Sequence, residues 1–257
     1  MIEFLRRLTP SGMLITLLVV MMMTGLVQWL LRRERIDFWF RSDEAVVNYV
    51  QMLTVFYGLL LGLVAVDLWQ KKDEAVKNTA NEANQIRILA DMAHSLPGDA
   101  TVLVRSLGDY TQGVIKKEWP MMLTNQQHEM FVASPELDNV RSAIMEMEPK
   151  TSAEQLAFQE VLSRYGQIVE ARQRRLLDSE RELPGVLRTT LIIGTFFTLI
   201  SAFFIQSKHL HTQVLLAAVS SGYLFLLIYV ILVLEHPFIG DWSVRFTPYE
   251  RVLEILH

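Results

Sequence analysis

Four stretches without a single Asp, Glu, Lys or Arg constrain this chain more than any other feature: Met13 to Leu31, Ala45 to Val66, Thr189 to Ser207 and Leu210 to Leu234. They run to between 19 and 25 residues, and a helix needs roughly 20 apolar residues, each rising about 1.5 Å, to cross the hydrocarbon of a bilayer. Composition carries the same message, with 51% hydrophobic and 20% charged positions where soluble domains carry about 25% charge. The first run follows Arg6 and Arg7 like a secretory signal, but it is too long, has no small-residue cleavage site and ends in Leu31-Arg32-Arg33. It therefore reads as a retained span.

The expectation is an all-α membrane protein. Residues 1–69 hold transmembrane helices one and two, 70–185 a helical cytoplasmic domain, 186–235 helices three and four, and 236–257 a cytoplasmic tail. An even number of spans puts both termini on the side of the inserted domain. Short loops alone nearly balance their positive charge. The domain flanks, with Lys71, Lys72, Lys77, Arg172, Arg174, Arg175, Arg181 and Arg188, favour the cytoplasm, because Lys and Arg close to a span are retained there. A long domain can cross regardless of charge, so the opposite orientation stays as a second reading. The location is an inner or plasma membrane, and one obligatory partner is the lipid bilayer.

No proline occurs between Ala45 and Leu96, so span two is predicted to continue as one helix of roughly 75 Å, at about 1.5 Å per residue. Its distal half has Val76, Ala80, Ala83, Ile86, Ala90 and Ala93 on one stripe, and Pro97-Gly98 ends it. A second helix carries Leu103, Leu107, Tyr110 and Val114 and is expected to stop near Trp119-Pro120. Ser134-Pro135-Glu136 reads as an N-cap, and Thr151 to Glu154 as a capping box. The helix that follows is predicted to end at the Leu183-Pro184-Gly185 joint.

Signatures of catalysis are missing. Zero cysteines remove thiolate metal sites and a Cys nucleophile. There is no nucleophile elbow, phosphate loop or dinucleotide glycine motif. His209 and His211 have no third ligand close in sequence. No metal or cofactor is expected, and the chain does not read as an enzyme. A net charge of -4, with 14 basic against 18 acidic residues over 70–182, offers no basic stripe for nucleic acid.

Span two is more informative. Asn48, Gln51, Val55, Gly58, Gly62 and Ala65 recur at steps of three and four and share a face. Two amides and two glycines sit poorly against lipid. They serve either tight packing within one chain or a pathway shared by several copies, in which Asn48 and Gln51 contact a partly dehydrated ion.

A set of local motifs then stands in order: Glu82-Ala83, Leu96-Pro97, Tyr110, Glu118-Trp119-Pro120, Arg172 with Arg175, Leu183-Pro184, and Glu235-His236-Pro237-Phe238-Ile239-Gly240. In this order the chain resembles the bestrophin-like domain family from about Phe56 to Val244, with Glu235 where the usual form has Asp. The resemblance implies a pentameric channel for small anions such as chloride, lined by the second span, with termini and helical domain in the cytoplasm. No acidic calcium clasp and no convincing aromatic neck are visible, since adjacent Phe56 and Tyr57 cannot both face one axis. Read from their chemistry alone, the motif residues are structural. Glu82 would pair with Arg175 or Arg172, Trp119 and Pro120 would end a helix, and Pro237, Phe238 and Gly240 would turn the chain and dock it. The competing function is a non-conducting scaffold or sensor whose cytoplasmic helices bind a protein.

Overall fold

The computed structural model describes residues 10–33, 44–93, 100–124, 134–180, 183–204 and 209–256. The expected stop at Pro97-Gly98 lies outside them. Every regular element among the described residues is helical. In chain order these are α1 (Pro10–Arg33), α2 (Glu44–Ala93), α3 (Ala100–Gly113), a π-helical segment (Val114–Glu118), α4 (Trp119–Thr124), α5 (Pro135–Met145), α6 (Ser152–Glu180), α7 (Gly185–Phe204), α8 (Leu210–Glu235) and α9 (Thr247–Leu256). Four helices are long and apolar enough to cross a membrane, by length and composition. The chain divides into two compact units, residues 1–70 with 182–235 and residues 71–181 with 236–257.

In the first unit α8 packs against α1 and α7. Close approach rests on glycine: a Cβ at Gly222 would lie 2.9 Å from the Met21 sulfur. From α2, Tyr57, Leu61, Val64 and Leu68 are buried with Leu183, Leu191, Leu224, Ile231 and Leu234, a stripe at steps of four and three. Hydroxyls in this apolar setting are satisfied locally. Thr16, Thr24, Thr54, Thr189, Thr190, Thr195 and Thr198 each donate to the carbonyl four residues back, which leaves no bare donor in a medium without water. Where α8 ends, buried Glu235 accepts from the Leu183 N–H at 3.3 Å and from the Arg188 guanidinium. That position thus uses its carboxylate to hold the start of α7.

The second unit has its own core. Its share of α2 is Ala75, Ala83, Ile86, Leu89, Ala90 and Ala93, with Thr79 and Glu82 buried beside them. Ala83, Ile86, Ala90 and Ala93 of the expected stripe are buried, and it departs only at its start, where Val76 is 45% exposed and Ala80 is exposed. Polar Thr79 and Glu82 take inward positions that apolar periodicity assigns to Val76 and Ala80. A second difference is that the chain stays helical through Trp119-Pro120. Proline lacks an N–H, and its ring clashes with the carbonyl four residues back in an α-helix. The π turn, in which the Trp119 N–H reaches the Val114 carbonyl, opens the local register, and α4 continues to Thr124.

Both caps form. Ser134 Oγ accepts from the Leu137 N–H. Thr151 Oγ1 accepts from the Glu154 N–H at 3.2 Å while Glu154 returns a bond to the Thr151 N–H, the reciprocal pairing of a capping box.

Residues 236–257 belong to this unit. They form a turn in which Gly240 takes φ 95°, a conformation in which a side chain is strained. The turn is closed by the Val244 N–H on the Pro237 carbonyl, and α9 follows.

Candidate functional site

Two places collect the residues singled out by the sequence. The first is the side of α2 left free by its packing in the first unit. Asn48, Gln51, Val55, Gly58 and Gly62 are all exposed, Val55 by 70%. A Cβ built on Gly58 or Gly62 would meet no atom of the described residues within 4 Å, so no close packing among those residues calls for either glycine. The neighbouring aromatics divide as adjacent residues on a helix must. Phe56 is 57% exposed, whereas Tyr57 is buried with its hydroxyl on the Leu191 carbonyl at 2.8 Å and Thr195 Oγ1 at 2.6 Å. A Cβ at Gly194 would fall inside the Tyr57 ring. That close approach explains the glycine in α7, whose Thr190, Gly194, Thr198 and Ser201 serve packing and self-bonding rather than a polar wall.

The second place is a buried ion cluster in the second unit. Arg175 of α6 has a fully buried side chain. Its Nε donates to Glu82 Oε2 at 2.8 Å and its Nη2 to Glu82 Oε1 at 3.2 Å and Glu118 Oε2 at 2.6 Å. Arg172, one turn earlier, donates from Nε to Glu118 Oε1 at 2.8 Å. Tyr110 donates to Glu82 Oε1 at 2.7 Å, and the Arg175 guanidinium lies 5.8 Å from the centre of the Tyr249 ring. Two acids and two arginines balance, which is the condition for keeping charge out of water.

Burial pushes the Glu118 carboxyl up, but Arg175 and Arg172 more than offset this and hold it below its ordinary value. Burial, and then Glu82, push the Tyr110 phenol well above its ordinary value. Burial does the same to Tyr249 against the opposing pull of Arg175.

Next to Glu118, Trp119 receives the C-terminal segment edge to face: Phe238 at 5.5 Å, Phe246 at 5.9 Å and Tyr249 at 6.0 Å between ring centres. The structure thus brings Glu82, Glu118, Trp119, Arg172, Arg175 and Phe238 into one locality. Pro120 is the second residue of α4, Pro184 precedes α7 and accepts from the Arg188 N–H, and Pro237 with Gly240 shapes the turn. Sequence reading missed Tyr249 and the helix that carries it. Thr247-Pro248-Tyr249-Glu250 has the same cap, proline and acid order as Ser134-Pro135-Glu136, and that signal could have found it. No group of three or more His, Cys, Asp or Glu suited to a metal occurs among the described residues.

A chain whose described regular elements are all helical, with several long apolar helices, self-satisfied hydroxyls and a separately packed polar unit, is an integral membrane protein. Its family is equally plain. The Bestrophin-like domain model matches residues 15–249, nearly the whole chain, which belongs to that family. The fold is similar to a crystal structure of a point mutant of a bacterial bestrophin homologue from Klebsiella pneumoniae, with a TM-score of 0.60, 14% identity, and 94% of this chain and 97% of that one covered. A comparison with curated proteins finds no match.

Proposed function

We propose that this protein is not an enzyme but an oligomeric, multi-pass membrane channel, with five copies as the favoured number. It passes small anions such as chloride along a central axis lined by α2, through Asn48, Gln51, Val55, Gly58 and Gly62. Both termini and the unit of residues 71–181 and 236–257 face the cytoplasm. The observation that carries this reading is the open space over Gly58 and Gly62 beside exposed Asn48 and Gln51. Amides turned to acyl chains would lack partners, whereas around a wet axis they offer N–H dipoles to an anion. Membership of the Bestrophin-like family and the fold shared with a bestrophin homologue support the same reading. In this reading Glu82, Glu118, Trp119, Pro120, Arg172, Arg175, Pro184, Pro237, Phe238 and Gly240 are structural.

Chloride flux from liposomes containing the purified protein tests the proposal. Flux should exceed that of protein-free liposomes, and Gln51→Leu should lower it without changing the oligomeric mass. Background flux at every voltage and calcium level, matched by silent planar bilayers, would retire it.

A further inference from the structure

Lys72 differs from the other charged residues of the α2 continuation. Asp73 pairs with Lys77 at 2.5 Å and Arg87 with Asp91 at 3.2 Å, the i to i+4 neighbours of any solvated helix. Lys72 is instead half-buried, and the polar group it meets is the Trp242 backbone carbonyl, to which its ammonium donates. Among the described residues no carboxylate acts on it, and burial alone shapes its environment. A carbonyl takes one of three ammonium protons and supplies no counter-charge. A half-buried cation with no anion beside it among the described residues gains from one, and two of its three donors stay open to a partner from outside them.

The setting says what would use them. In sequence, Lys72 is the third residue after Trp69, where the apolar part of α2 gives out, and Trp242 the seventh after Glu235, where α8 ends. Trp242 leaves 59% of its surface exposed on the turn that the Val244 N–H closes onto the Pro237 carbonyl. A free indole beside an ammonium, just past two bilayer-length apolar runs, is the pairing found at headgroup level.

We propose that Lys72 and the Trp242 turn hold the anionic headgroup of a bilayer lipid, the ammonium on a phosphate oxygen and the indole in the interface. This stands apart from conduction, and it can fail or hold whether or not the protein passes ions.

The test counts lipid retained by the full-length protein in neutral detergent doped with phosphatidylglycerol or with phosphatidylcholine, read by native mass spectrometry. The unaltered protein should prefer phosphatidylglycerol, and the preference should fade in 1 M salt. Lys72→Gln keeps a donor for the Trp242 carbonyl but removes the charge, and should lower the preference about fivefold, the share of one lysine at an anionic surface. Lys72→Arg should restore it, while Lys116→Gln, on an exposed lysine of the π segment, should leave it intact. Equal preference in the protein and in Lys72→Gln would overturn the assignment, as would displacement of the lipid by equimolar inorganic phosphate. Should Lys72→Gln fail to fold, Trp242→Ala decides, because it removes an exposed ring and keeps the carbonyl. Undiminished retention of phosphatidylglycerol there would be equally fatal.

Discussion

Arg175 places one buried guanidinium between two carboxylates, so what its loss leaves behind matters more than the bonds themselves. Arg175→Met would strand Glu82 beside the phenols of Tyr110 and Tyr249 and leave Glu118 to Arg172. Stripping one partner from a buried pair costs about 3–5 kcal/mol. Thermal unfolding in detergent should show that loss, with Arg175→Lys falling between because an ammonium cannot span both acids. Acid should act through Glu118. Its carboxyl titrates below the ordinary 4.5, so its contribution to stability is complete above about that pH and disappears as pH falls through the folded-state value. Glu118→Gln should be less stable at neutral pH and should lose less on acidification than the parent. Parallel acid-melting curves for the two proteins would contradict this.

At the scale of elements, two glycines make opposite demands. Gly194→Ala would drive a methyl group into the Tyr57 ring and dislodge the hydroxyl from Leu191 and Thr195. Overpacking of this kind costs about 1–3 kcal/mol. Gly58→Ala meets no atom of the described residues within 4 Å and gains up to about 1 kcal/mol of helix propensity. Comparing the melting of the two variants as separated protomers would check this, Gly194→Ala falling and Gly58→Ala holding or rising.

The elements also show where sequence reading succeeds. Long charge-free runs and local caps are legible because each signal lies within a few residues. The pairing of Glu82 with Arg175 was readable only as a possibility, since two residues 93 apart meet through packing alone. The stripe of α2 was legible from Ala83 to Ala93, and its start escaped because two of the buried positions, Thr79 and Glu82, are polar. Passage through Pro120 escaped because a π turn has no residue signature. For the face of α2 with Asn48, Gln51, Gly58 and Gly62, sequence left packing and a shared pathway both open, and the structure shows the face exposed among the described residues.

For the whole molecule, the proposed axis needs several copies, because one polar stripe cannot enclose a conduit. The detergent-solubilised protein should therefore have the mass of an oligomer, five chains by preference, and a strictly monomeric mass by light scattering would end the conduit reading.

The division of the chain into two interrupted units has a consequence for synthesis. Each unit is built from two separated stretches, and the second completes its core with Phe238, Val244, Tyr249 and Val252. A nascent chain that has already made Arg175 and Trp119 must wait for residues 238–249 before the aromatic side of Trp119 and the Tyr249 side of Arg175 are covered. Stopping translation after Arg245 should thus leave helices that form but do not close, and residues 71–181 should turn protease-sensitive, although none of them has been altered.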